Sequence, residues 1–94
     1  MGYRGWAKKR DSNEPEIIAG LERMGYLVIP MDKPLDLLCA KRGTWLWVEV
    51  KSKPTENLTE DQRRFFASAR HMRAPCYRVD TVDDVMLMDA ELFK

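Results

Sequence analysis

The chain has 94 residues, 45% of them hydrophobic, with sixteen Lys and Arg against fifteen Asp and Glu. This length fits one compact domain with a modest core, and the apolar runs are too short to span a membrane. The near-neutral net charge hides an asymmetry, since residues 1–78 hold fifteen basic and ten acidic side chains, whereas residues 79–94 hold five acids and one lysine. A basic body of this kind is expected to attract phosphates weakly and in a salt-dependent way.

In chain order, residues 1–11 read as a basic arm carrying Arg4, Lys8, Lys9 and Arg10, interleaved with Tyr3 and Trp6. Such an arm can track phosphates while its aromatics stack on bases, or it can be a solvated terminus. The N-terminus has no apolar h-region, and Trp6 stands where myristoylation requires Ser or Thr. Ile17, Ile18, Leu21 and Met24 recur at helical spacing, predicting a helix over 14–24. Asn13 and Glu16 fit a capping box at its start, with Pro15 tolerated in the first turn.

Strands are predicted at 27–31, 35–41 and 44–52, the last two joined by a tight turn at Lys41-Arg42-Gly43-Thr44. Folding that hairpin brings Asp36 beside Glu49. Glu49 and Lys51 share strand parity, so two acids and a lysine converge on one face. This set suits a hard divalent cation and an anionic substrate; Mg²⁺ needs one or two carboxylates and keeps several waters. The bland reading is a pair of exposed charges at the ends of a hairpin. Trp45 and Trp47 lie on the same face as Glu49, either packed against a helix or serving as a stacking platform.

A second helix is predicted over 60–72, with Thr59 and Gln62 as a capping pair. Phe65, Phe66, Ala69 and Met72 form its apolar face, while Arg63 and Arg64 are candidates for phosphate contact. His71 reads as a surface residue. A strand at 76–81 and a helix at 82–92 complete an αβββαβα order, an α/β fold with a mixed central sheet flanked by helices. Cys39 and Cys76 read as two buried reduced thiols.

Five segments in this order resemble the PD-(D/E)XK nuclease superfamily, and within it the VRR-NUC-type phage nucleases and archaeal-type Holliday junction resolvases. They are Asn13-Glu14-Pro15-Glu16-Ile17-Ile18-Ala19-Gly20-Leu21, Met24-Gly25-Tyr26-Leu27-Val28, Pro34-Leu35-Asp36-Leu37-Leu38, Val48-Glu49-Val50-Lys51-Ser52 and Leu58-Thr59-Glu60-Asp61-Gln62. The resemblance runs from about Asp11 to Val85. Its one departure is Leu35, which separates Pro34 from Asp36. The resemblance implies a single restriction-endonuclease-like nuclease domain over 1–94. It also implies an endonuclease that hydrolyses DNA phosphodiesters with Mg²⁺ or Mn²⁺ and no organic cofactor, with some selectivity for branched or junction DNA.

By the same resemblance, Asp36, Glu49 and the Val50 carbonyl hold the metal. Glu14 extends the site, with Glu16 as the alternative. Lys51 orients the attacking water, and Gln62 bonds Lys51 or that water. A homodimer is expected, because one site cuts one strand and a symmetric pair cuts two. The expected location is cytoplasmic, in the host cell if phage-encoded. The alternatives are a non-catalytic nucleic-acid-binding subunit of a phage or repair complex, and a nuclease acting on RNA.

Overall fold

The computed structural model describes residues 11–94. Seven elements follow one another: α1 (Glu14–Arg23), β1 (Leu27–Pro30), β2 (Leu37–Lys41), β3 (Thr44–Val50), α2 (Glu60–His71), β4 (Cys76–Val79) and α3 (Val82–Leu92). The order is the predicted one. Each strand stops short of its predicted range at the same end of the sheet, the end where Asp36 and Glu49 lie. There backbone and side-chain partners alternate: the Lys51 N–H still reaches the Val79 carbonyl, while the Val50 N–H donates to Asp36 Oδ2.

The four strands form one mixed sheet in the order β1-β2-β3-β4, antiparallel at the first two junctions and parallel at the third. Arg42 and Gly43 both have positive φ, 51° and 79°. This is the backbone of a two-residue hairpin turn whose twist matches the flanking strands. Parity then sorts the side chains. Val28, Leu37, Cys39, Leu46, Val48, Val50 and Val79 face one side, where they form the core with Ile17 and Leu21 of α1 and Val85 and Met88 of α3. Gly20 lets α1 meet α3 closely, since a Cβ there would sit 3.3 Å from Val82 Cγ1.

The opposite face carries Trp47 and Glu49. α2 covers it there, with Phe65 set edge-on to Trp47 at 5.8 Å between ring centroids. Phe66 and Ala69 are buried as predicted, but Met72 is exposed because the helix ends at His71. Trp45 is also exposed, contrary to the core-packing reading, because it lies beyond the part of the sheet that α2 covers. Both cysteines are free; Cys39 is buried and Cys76 half-buried. No helix among the described residues is long and apolar enough to cross a membrane.

Candidate functional site

The hairpin builds the site. Leu37 pairs with Val48, so the next residues out, Asp36 and Glu49, stand opposite each other. Their contacts are reciprocal. The Asp36 N–H donates to Glu49 Oε1 at 3.2 Å, and the Val50 N–H donates to Asp36 Oδ2 at 2.9 Å. Glu49 is 2% exposed and Asp36 6%, so these are not surface charges at a hairpin's ends. Burying carboxylates is costly unless they are hydrogen-bonded and offset by opposite charge.

Lys51 supplies part of that offset. Its N–H bonds the Val79 carbonyl, which keeps the residue in strand geometry beyond β3. Its buried Nζ lies 3.4 Å from Glu49 Oε2 and 3.9 Å from Glu56 Oε2. Burial and the neighbouring Asp36 push the Glu49 carboxyl up to about 7, while Lys51 and the Asp36 N–H pull it the other way. Lys51 therefore offsets the local negative charge only in part.

Gln62 does two jobs at once. It forms the capping box with Thr59, through Thr59 N–H to Gln62 Oε1 and Gln62 N–H to Thr59 Oγ1. Its Nε2 donates to Glu49 Oε2 at 2.8 Å. The partner is Glu49 and not the expected Lys51, because the first turn of α2 sits over β3.

The predicted Asn13–Glu16 capping box is absent. Asn13 has helical backbone angles and no capping hydrogen bond from its side chain. Its Nδ2 instead donates to the Lys51 carbonyl at 2.9 Å and the Asp80 carbonyl at 2.8 Å. It thereby ties the start of α1 to the ends of β3 and β4. The long-range partners could not be read from local spacing, where an Asn before a helix signals a cap. Glu14 is buried and Glu16 exposed, which favours Glu14 of the two helix acids.

Glu56 was not anticipated. It accepts from the Ser52 N–H and Oγ–H at 3.0 and 2.9 Å, which holds its carboxyl below the usual range, and it faces Lys51. A Ser four residues before a Glu is too common to signal this. Arg64 pairs with Glu60 on the outer face of α2, and Arg63 donates to the Leu58 carbonyl. His71 is exposed, as predicted. Arg4, Lys8, Lys9 and Arg10 lie outside the described residues.

Among the described residues, no three His, Cys, Asp or Glu side chains form a ready-made metal cage. The donor set still fits a hard cation that keeps most of its waters, because two close carboxylates are sufficient protein ligands for it. In a strand the N–H and C=O of one residue point to the same side. The Val50 N–H points to Asp36, so its carbonyl leaves on that side too. Comparison with protein-family models, curated proteins and solved structures found no match for this chain.

Proposed function

We propose that the chain is a divalent-metal-dependent endonuclease of the PD-(D/E)XK type, with a restriction-endonuclease-like core, that hydrolyses DNA phosphodiesters. The observation that carries this reading is the pairing of Asp36 with Glu49 across the β2–β3 hairpin, with Lys51 Nζ 3.4 Å from Glu49. Asp36, Glu49 and the Val50 carbonyl would hold Mg²⁺ or Mn²⁺, with Glu14 extending the site from α1. Such a cation lowers the pKa of a bound water and neutralises charge on the scissile phosphate.

The chain's own side chains do the rest. Lys51 points its ammonium at the reacting phosphate, orienting the water and stabilising developing negative charge. Gln62 fixes the Glu49 carboxylate by its 2.8 Å hydrogen bond. Asn13 holds the Lys51 backbone by its carbonyl, so the ammonium starts from a fixed point. The active unit on duplex or branched DNA is a homodimer.

The test is a panel of linear, nicked, flapped and four-way DNAs incubated with Mg²⁺, Mn²⁺, Ca²⁺ or EDTA. Mg²⁺ or Mn²⁺ should support cleavage and EDTA abolish it. Ca²⁺, with its looser geometry, should bind and support little turnover. Undiminished cleavage in EDTA would remove the mechanism.

The second reading is a nucleic-acid-binding module without catalysis. One observation favours it: both Glu49 oxygens are engaged within the protein, by Asp36 N–H on one side and Gln62 on the other. A buried network of that kind can simply lock the hairpin to α2. Metal-independent DNA binding with no cleavage of any substrate in the panel would select it.

A further inference from the structure

A concavity among the described residues lies beside the acid pair and not over it. It is a groove of about 780 Å³ along β4, lined on the other side from Leu58 and Arg63 at the start of α2 to Ala74 past its end, and by Glu91 of α3. Four arginines line it, Arg63, Arg70, Arg73 and Arg78, over a floor that includes Phe66 and Tyr77. Glu91 is the single acid among its lining residues, and it accepts a hydrogen bond from the Tyr77 hydroxyl.

The arginines divide into two kinds. Arg78 is held in place, donating to Asp80 and to the carbonyls of Lys53 and Pro54, and Arg63 donates to the Leu58 carbonyl. The guanidinium groups of Arg70 and Arg73 have no hydrogen-bond or ion-pair partner among the described residues.

Arg73 carries an independent signal. Two helices end in the same motif. At the end of α1, the Tyr26 N–H reaches the Leu21 carbonyl and the Gly25 N–H the Glu22 carbonyl, with Gly25 at φ 92°. At the end of α2, the Ala74 N–H reaches the Ala69 carbonyl and the Arg73 N–H the Arg70 carbonyl, with Arg73 at φ 58°. This position favours glycine, because a side chain crowds the backbone there. One helix follows that preference and the other places an arginine in it, at the mouth of a groove already lined by three more.

The groove adjoins the acid pair. Arg78 stands opposite Glu49 across the β3–β4 ladder. Arg63 follows Gln62, whose amide holds Glu49. The volume lies in the range that takes a drug-sized ligand, roughly 300–1,000 Å³, so it holds a few nucleotides and not a duplex. A second copy docked here symmetrically would set its own four arginines against these, which like-charge repulsion opposes. We infer that this groove binds a single strand of nucleic acid. Its arginines track the phosphates, and the half-buried Tyr77 offers an aromatic edge against which a base lies. The inference deepens the nuclease reading and rests on it only for where the strand leads, namely to Asp36 and Glu49.

The test is fluorescence anisotropy of a labelled oligothymidylate of roughly ten nucleotides, titrated in EDTA at several salt concentrations. The double variant Arg70→Ala/Arg73→Gly should bind on the order of tenfold more weakly and lower the log–log salt slope by about 1.4, the share of two single-strand phosphates. Arg73→Gly alone should weaken binding while melting at or above the parent's temperature, because it relieves the backbone. Arg23→Ala, a charge loss at the end of α1, should change neither. Parent-like affinity and slope in the double variant would overturn the inference, as would no binding by the parent. Loss of polyglutamate binding with oligothymidylate binding retained would assign the groove to an acidic peptide and overturn it as well. Because EDTA takes metal out of the measurement, the two readings fail separately. Groove variants that bind poorly beside a parent that never cleaves sink the nuclease alone. Groove variants that bind normally beside a parent with metal-dependent cleavage sink the groove alone.

Discussion

Lys51 and Glu49 sit in one contact yet should respond differently to substitution. Lys51→Ala removes an ammonium that would act on the reacting phosphate but leaves both carboxylates, so metal affinity should persist. The cleavage rate should fall by roughly two or more orders of magnitude. Asp36→Asn and Glu49→Gln should weaken metal binding as well as rate. Calorimetric titration with Mn²⁺ alongside single-turnover cleavage separates the two effects, and a Lys51→Ala variant at the parent's rate would refute the assignment. Proton linkage gives a second handle. The folded state raises the Glu49 carboxyl from 4.5 to about 7, so the native protein binds that proton more tightly than the unfolded chain. Its contribution to stability is therefore present below pH 4.5 and lost as pH rises through about 7. A bound cation would hold Glu49 ionised. Thermal melts without metal should drop across that window, and saturating Mg²⁺ should raise the melting temperature most at its alkaline end. Identical pH profiles with and without Mg²⁺ would argue against a cation at Glu49.

At the scale of elements, the site is where α1, the β2–β3 hairpin and the first turn of α2 are fastened together. Asn13 is the fastener that links α1 to the sheet, and its role makes an unusual prediction. At a conventional helix cap, Asp serves as well as Asn. Here the side chain donates to two carbonyls, and a carboxylate has no proton to give them. Asn13→Ala should cost about 1–3 kcal/mol, and Asn13→Asp should cost more, because its charge would face two carbonyl oxygens. Chemical denaturation of the three proteins decides the order; an Asp variant as stable as the parent would return Asn13 to the role of a cap. Packing of the same helix is tested by Leu21→Ala, which opens a cavity in the fully buried core and should cost about 2–5 kcal/mol.

For the whole molecule, the proposed homodimer needs a surface. The sheet face that α2 leaves uncovered presents Leu27, Ala40 and Trp45 side by side across β1, β2 and β3, with Trp45 53% exposed. An exposed apolar row of this kind suits association. Light scattering should give about twice the monomer mass, and Trp45→Glu should give a monomer that keeps its fold. A parent that is monomeric with and without DNA would refute the paired-site model and leave a single-strand or flap nuclease.

The periodicity of Ile17, Leu21, Leu46, Val48 and Val50 carries the element order and the division of the sheet into a core face and a site face, because side-chain direction follows from the backbone repeat. The same parity places Glu49 with Lys51, and the short turn at Arg42-Gly43 sets Asp36 opposite Glu49, since a two-residue hairpin has one register. These relations are local, and local relations are legible in a sequence. What α2 would cover was not. Trp45 and Trp47 are indistinguishable by pattern, yet one is exposed and the other meets Phe65, because the position of the helix over the sheet decides it. Asn13 looks like a cap until Lys51 and Asp80, 38 and 67 residues away, present it with carbonyls. The arginines of the β4 groove likewise come together only when α2, β4 and the loop between them close on one another. The chain's own pattern therefore determined the hairpin, its acids and the core. Packing between elements decided which polar groups meet, because hydrogen bonds and charge pairs act over a few ångströms and carry no mark in the spacing of residues far apart.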